Sequence, residues 1–131
     1  MEGMGSLDEY LRSPLHYVCI DHPREQWLSI ARKLIASGED INRQDKHGWS
    51  PLHFAAQEGA PEIASLLIEA GANIEPVDEN GNTPLWVAAM HSHHGPEVVN
   101  ILLANGADPD KENKHGISPR EISPELFENA T

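Results

Sequence analysis

The sequence predicts an all-α solenoid in which helix–turn–helix units stack side by side and β-turn fingers project between them. Three observations support this prediction. A Ser/Thr-Pro signature begins at residues 13, 50, 83 and 118. Each of the first three signatures is followed by an apolar, helix-like run that closes with glycine, and short Asp/Asn-Gly turns separate the units. Self-similarity at a period of about 35 residues is typical of solenoid proteins.

The signatures mark helix starts. A Ser or Thr side-chain oxygen can cap the first turn of a helix, and proline is tolerated at the first helical position because its missing N–H would have no partner there. We therefore expect three full units and a partial fourth. The four copies are SPLHYVC from Ser13, SPLHFAA from Ser50, TPLWVAA from Thr83 and SPREIS from Ser118.

The second helix of each unit carries an apolar stripe. In the middle unit, the stripe residues fall at i, i+3, i+4 and i+7, which is the spacing of one buried helix face. The third unit follows the same spacing except that Asn105 takes the last place. Glycine can end a helix in the left-handed conformation without strain. The stripe of the middle unit is Ile63, Leu66, Leu67 and Ala70, and the closing glycines are Gly38, Gly71 and Gly106.

The two ends of the array depart from the pattern, as terminal capping repeats do. The first unit is longer and has Lys33 where the middle unit has Leu66, although Trp27 still lies on its apolar stripe and is read as a core or edge-covering residue. The last unit has Arg120 and Glu121 in place of Leu-His. These features predict an N-terminal tail and cap over residues 1–12, a repeat domain over 13–122 and a frayed C-terminal tail over 123–131.

Together these residues resemble the ankyrin-repeat family, whose unit carries Gly-x-Thr-Pro-Leu-His-x-Ala-Ala, a helix turn, a Leu-Leu run and Gly-Ala-Asp. The resemblance covers residue 13 to about residue 122. It implies an ankyrin-repeat solenoid that binds proteins on a concave side formed by the finger tips and the exposed face of each first helix. It also implies that His16 and His53, in the Pro-Leu-His slot, hydrogen-bond backbone across adjacent turns.

Composition and charge narrow the class of partner. The net charge of −12 argues against nucleic acid, which needs clustered Lys and Arg. From His47 to Asp110 the chain has no Lys or Arg and nine carboxylates. The field of this span should attract a basic protein, although solubility alone is the alternative explanation.

The sequence shows neither a signal-peptide pattern nor an apolar run of membrane-spanning length, so we expect a cytoplasmic, monomeric protein with no membrane partner. The single Cys19 lies in an apolar stretch and is read as a packing residue rather than a nucleophile. No catalytic triad pattern accompanies the Pro-Leu-His histidines. We therefore predict a protein that is not an enzyme and has no cofactor.

Two features of the third unit are unusual. Trp86 stands in the histidine slot, where its ring can pack but donates only one hydrogen bond. His91, His93 and His94 fall in a two-residue insertion between the helices. Zinc needs three or four converging ligands, which neighbours in one short loop rarely supply. We predict an exposed loop that a partner contacts or that faces water, rather than a metal site.

The resemblance, carried over slot by slot, gives the candidate partner-binding residues. Trp49 is the sharpest of them because a large amphipathic ring suits an interface anchor. The alternative is that its ring lies flat over the neighbouring finger. The candidates are Asp21, Lys46, His47, Trp49, Gln57, Glu58, Glu79, Asn80, Asn82, Trp86, Met90, His91, His93 and His115, with Arg12, Ile20, Lys114 and Ile117 in equivalent slots of the end units.

A narrower resemblance rests on GNTPLW from Gly81, the expanded loop after it and NKHGISPREIS from Asn113. These segments are similar to small bacterial ankyrin immunity proteins, which neutralise a toxin domain by masking it. That resemblance implies a basic toxin partner such as a nuclease. The competing interpretation is a generic intracellular adaptor or regulatory scaffold.

Overall fold

The computed structural model describes residues 7–128, and within them it contains seven α-helices and no β-strand. This architecture confirms the predicted all-α solenoid. Short 3₁₀ segments occur at Pro14–Tyr17, Arg24–Gln26, Ser92–His94 and Pro124–Phe127. The α-helices are α1 (Val18–Asp21), α2 (Trp27–Ala36), α3 (Pro51–Gln57), α4 (Pro61–Glu69), α5 (Pro84–Met90), α6 (Glu97–Ala104) and α7 (Pro119–Ile122).

The helices form two rows. The inner row contains α1, α3, α5 and α7, and the outer row contains α2, α4 and α6. Within the rows, α3 packs on α5, α5 packs on α7, and α4 packs on both α2 and α6. Each unit thus contacts only its neighbours, as expected for a repeat array.

The helix starts follow the predicted capping chemistry. Helical segments begin at Pro14, Pro51, Pro84 and Pro119, one residue after each Ser or Thr. The Thr83 hydroxyl, for example, accepts the backbone N–H of Trp86 at 3.2 Å.

The core lies between the two rows, and one predicted stripe is corrected. In α4, Leu66 is only half-buried and Ala70 is exposed, whereas Ala64 is fully buried beside Ile63 and Leu67. Because α4 packs against α3 as well as against both neighbouring outer helices, its buried face includes Ala64. Trp27 and Cys19 are buried, as predicted, and burial raises the pKa of the Cys19 thiol to about 12.

The chain forms four fingers, the first of which precedes the first Ser-Pro signature. Residues 8–11 make a β-turn in which the Leu11 N–H donates to the Asp8 carbonyl at 2.9 Å, just as Gly48 donates to Asp45 at 2.9 Å. Leu11 adopts a φ of +61°, the left-handed conformation that glycine takes in the other fingers. Residues 8–12 therefore form the first finger, which a sequence pattern misses because a leucine stands in the glycine slot. Residues 1–6 lie outside the described part of the chain.

The C-terminal boundary also differs from the prediction. Phe127 is completely buried, and the Ser123 hydroxyl donates to the carbonyl of Ala89 in α5 at 3.3 Å. Arg120 donates to the Phe127 carbonyl at 3.2 Å. Residues 123–127 thus complete the cap instead of forming a frayed tail, while residues 129–131 lie outside the described part. Among the described helices, none is long and apolar enough to cross a membrane.

Candidate protein-binding surface

One carboxylate or amide organises each finger from within. Asp45 Oδ1 accepts the backbone N–H groups of His47 at 2.9 Å and Trp49 at 2.8 Å. Asp8, Asp78 and Asn113 make the corresponding pairs of bonds in the other fingers. Because two N–H groups share one fixed acceptor, the finger backbone is held rigidly.

Backbone hydrogen bonds join each finger to the next. The Lys46 N–H donates to the Tyr10 carbonyl at 2.7 Å, and the Glu79 N–H donates to the His47 carbonyl at 2.9 Å. The Lys114 N–H completes the series on the Asn80 carbonyl at 2.9 Å. The four fingers therefore form one continuous ladder.

A second ladder is made by the side chain that precedes each capping Ser or Thr. Arg12 Nε donates to Asp45 Oδ2 at 2.9 Å, and Trp49 Nε1 donates to Asp78 Oδ2 at 2.9 Å. These bonds tie each finger to the next through a charged acceptor, which makes them stronger than neutral pairs.

Asn82 occupies the third place of this side-chain ladder. It is buried, and its Oδ1 accepts from Asn113 Nδ2 at 2.9 Å. Asn82 therefore joins two fingers, and its role in partner binding stays a prediction.

Trp49 is half-buried, and its indole N–H is already bonded to Asp78. Its ring stacks on His53 with centroids 5.4 Å apart and meets Phe54 edge-on at 4.9 Å. The ring thus lies against the first turn of α3, and only its N–H reaches the third finger. A partner can reach Trp49 only through the exposed part of the ring.

The two Pro-Leu-His histidines have the structural role that the resemblance implied. His53 Nδ1 accepts the Ser50 N–H at 3.0 Å, so Nε2 carries the proton and donates to the Asn82 carbonyl at 2.9 Å. His16 makes the same bond to the Trp49 carbonyl at 3.0 Å. Burial lowers the pKa of both rings, which favours the neutral form. They are structural links between units.

Trp86 takes the same slot in the third unit without making the same bond. Its side chain is half-buried, and its buried Nε1–H has no acceptor among the described residues. The ring packs against the core and supplies no link to the fourth finger. The capping box of the other units is also missing here, because tryptophan cannot accept the Thr83 N–H.

A pocket of about 260 Å³ opens between the second and third fingers and the inner helix α3. His47 and Glu79 form its rim, with His47 Nδ1 and Glu79 Oε2 3.0 Å apart. The sequence prediction named four of the lining residues as binding candidates and Arg12 as an equivalent slot, but it missed Asp45 and Phe54. Asp or Asn recurs at the start of each finger, and this recurrence in the sequence could have identified Asp45. The lining residues are Arg12, Asp45, His47, Trp49, Phe54, Gln57 and Glu79.

The inner-helix ends form the second part of this surface. Met90 is 57% exposed at the end of α5, and Gln57 holds the same place at the end of α3, where its Nε2 donates to Glu58 at 3.0 Å. We use the name finger face for the fingers at 45–48 and 78–81 together with these helix ends. The predicted residues Asp21 and His115 are exposed on the first inner helix and the fourth finger, away from the pocket.

The loop that contains His91, His93 and His94 borders the finger face. His93 and His94 are exposed, and their rings lie 4.1 Å apart. His94 packs on the turn of the second unit so closely that a Cβ at Gly59 would clash with the His94 side chain. Burial and the neighbouring histidines lower the pKa of His91. Across residues 7–128, no group of three or more His, Cys, Asp or Glu side chains is arranged to hold a metal ion.

Between His47 and Asp110, where the chain has no Lys or Arg, the carboxylates are divided between two faces. Glu79 and Glu58 lie on the finger face, and Asp78 is buried inside the third finger. Glu69 and Glu97 are exposed on the outer helices. The exposed carboxylates of this span thus lie on both the finger face and the outer row.

Comparison with known proteins agrees with this geometry. A family model described as ankyrin repeats in three copies matches residues 15–113. Over 42 residues, or 32% of this chain, the sequence is 38% identical to Potassium channel AKT1 of Arabidopsis thaliana, of which it covers 5%. Over 37 residues, or 28% of this chain, it is 43% identical to Protein phosphatase 1 regulatory subunit 27 of Homo sapiens and of Mus musculus, covering 24% of each. The match thus spans a quarter or less of these relatives, whereas the repeat model spans most of the chain, which belongs to the ankyrin-repeat family.

Proposed function

We propose that this protein binds a basic protein partner on the finger face and neutralises it by covering its functional surface, as an immunity protein does for a toxin. Ankyrin repeats indicate a protein-binding module. The observation that supports the choice of face is the pocket between the second and third fingers, which is built on the two hydrogen-bonded ladders. A surface held in place before binding loses little entropy when the partner docks.

Charge supports the choice of a basic partner. Between His47 and Asp110 the chain carries nine carboxylates and no Lys or Arg. A toxin that acts on phosphate, such as a nuclease, needs a basic active site, and the acidic field would steer that site onto the finger face. We expect the association rate to fall by about tenfold or more between low and high salt, measured by stopped-flow mixing. A rate independent of salt would leave the charge with a role in solubility alone.

Rescue of growth is the direct test of neutralisation. Cells that express a toxin domain encoded beside this gene should survive when this chain is co-expressed. Glu79→Lys should abolish the rescue because it places a positive charge on the rim of the pocket. The matched control is Glu69→Lys, which makes the same charge change on the outer row and should still rescue. Failure of the unaltered chain to rescue would contradict the immunity function.

The similarity to a phosphatase regulatory subunit favours a second candidate function, that of an adaptor or regulatory subunit. Such a protein would bind its partner through the same finger face without abolishing the partner's activity. An activity assay of the purified complex separates the two. Loss of the partner's activity in proportion to occupancy supports neutralisation, and retained activity at full occupancy supports the adaptor.

A further inference from the structure

We infer that the pocket beside Trp49 receives a single arginine side chain of the partner. This inference rests on the proposed function, because it assumes that the finger face is the docking surface. It goes further by naming the side chain that the pocket recognises and the residues that recognise it.

The size of the pocket suits one side chain. Its volume of about 260 Å³ is below the range of about 300–1,000 Å³ that is usual for pockets that bury a small-molecule ligand. The lining places the exposed part of the Trp49 ring beside a carboxylate, Glu79, while the buried Phe54 ring is already covered by Arg12. An aromatic face and a carboxylate are the two groups that a guanidinium binds best.

The protein already uses this chemistry one finger earlier. The Arg12 guanidinium lies over the Phe54 ring at 5.0 Å from its centroid, and Arg12 Nε donates to Asp45 Oδ2 at 2.9 Å. Trp49 and Glu79 offer a guanidinium from outside the same combination of ring and carboxylate. The Arg12 charge does not exclude a second cation, because the fully buried Asp45 carboxylate pairs with it directly.

The charges around the pocket favour a cation over an anion. Asp78 lies behind Trp49 and accepts its indole N–H, and Glu58 lies beside Gln57. Glu79 uses Oε2 for His47, while Oε1 has no donor within hydrogen-bond distance among the described residues. An incoming guanidinium can donate to Oε1 without displacing His47.

Arginine fits this site better than lysine. Its guanidinium is planar, stacks on an aromatic face and donates through several N–H groups in one plane. It is also hydrated more weakly than an ammonium group, so it loses less on entering a half-buried pocket. Lysine would bring the same charge but would neither stack nor donate twice in one plane.

The test is an NMR titration of the three tryptophan indole N–H signals, with the Trp49 signal assigned by its loss in Trp49→Phe. The probe is N-acetyl-arginine-N-methylamide, and the matched probes are the corresponding lysine and citrulline compounds. We expect the Trp49 signal to shift and saturate with arginine at millimolar concentrations. Trp27, whose N–H is bonded to the His22 carbonyl on another part of the domain, should not move. Lysine should bind at least about threefold more weakly, and uncharged citrulline should give no saturating shift.

Variants complete the test. Glu79→Gln keeps the shape of the rim and removes its charge, so it should weaken arginine binding by at least about fivefold. Glu69→Gln makes the same change on the outer row and should leave binding unaltered. The inference is overturned if Trp49 does not respond up to about 50 mM arginine compound, or if citrulline gives the same response.

The inference and the proposed function can fail separately. If finger-face variants weaken the partner while the arginine compound has no effect at Trp49, the pocket proposal is wrong and the docking face stands. If the arginine compound binds the pocket but Glu79→Gln leaves the partner's affinity unchanged, the partner does not use the pocket, and both the inference and the proposed docking face are wrong.

Discussion

The third unit has two junctions that share one backbone scheme and differ in their side chains. On the side of the second unit, His53 bonds to the Asn82 carbonyl and the Trp49 indole bonds to Asp78. On the side of the fourth, Trp86 fills the histidine slot and its N–H has no acceptor among the described residues. Backbone ladder bonds of the same length, 2.9 Å, are present at both junctions.

This difference shows that the packing of Trp86 replaces the hydrogen bond of a histidine only where other residues complete the junction. At the C-terminal side, Ser123 donates to the Ala89 carbonyl, Arg120 binds the Phe127 carbonyl, and the Phe127 ring is fully buried. The junction between the second and third units is thus held by hydrogen bonds along the fingers. The junction between the third and fourth units keeps two finger bonds, from Lys114 to Asn80 and from Asn113 to Asn82, and adds the contacts of the cap.

Removal of the Phe127 ring, which is buried in the C-terminal cap, should have the largest effect on the free energy of unfolding. Phe127→Ala should destabilise the domain by about 3–5 kcal/mol, because it leaves a cavity against the third unit. The measurement is the free energy of unfolding in urea. The neighbouring Glu128→Ala, at an exposed position, serves as the control. If the free energy of unfolding falls by less than about 1 kcal/mol, the cap does not hold the junction between the third and fourth units.

Much of this arrangement was predictable from the sequence because it depends on local chemistry. The helix starts follow from Ser/Thr-Pro, which caps and initiates a helix within a few residues. The resemblance to the family, in turn, implied the linking role of His16 and His53, which the structure confirms.

The remaining features depend on contacts between units, which no local pattern records. Leu11 hides the first finger because leucine rarely adopts a positive φ. Phe127 belongs to the core only because α7 brings the last segment back onto α5. Asn82 and Trp49 were assigned to the partner from their slots, but each bonds to the next finger, whose side chains depend on the register between units.

Acid should weaken the histidine-linked junctions. His16 and His53 are buried and neutral, with pKa values lowered by burial from the ordinary 6.5. Below about pH 6.5 the unfolded chain therefore binds protons that the folded chain does not, so stability falls as the pH falls. The slope approaches at most about 1.4 kcal/mol per pH unit for each ring.

Urea unfolding at about pH 7.5, 6 and 5 measures this slope. His53→Gln removes one of the two titrating links and should make the decline shallower, even though its stability at neutral pH is lower. If the variant and the unaltered chain decline in parallel, His53 does not carry the pH dependence.

Two Trp→Phe substitutions, one at each junction of the third unit, should have the smallest effects on stability. Trp49→Phe removes an N–H that is bonded to Asp78 and should cost about 1–2 kcal/mol, because the buried carboxylate loses a donor. Trp86→Phe removes an N–H that has no acceptor and should change stability by less than about 0.5 kcal/mol. Differential scanning calorimetry and urea unfolding together measure both. Equal losses would show that the N–H of Trp86 is as well satisfied as that of Trp49.

The affinity of a partner for the finger face tests the central claim most directly. The partner would be captured with this chain from the native organism, purified and titrated by calorimetry against three variants. We expect Trp49→Ala to weaken binding by about 2 kcal/mol or more and the exposed Glu79→Lys to weaken it with the fold intact, while Glu69→Lys on the outer row leaves it nearly unchanged. Equal affinity for the unaltered chain, Trp49→Ala and Glu79→Lys would contradict the claim that the finger face is the docking surface.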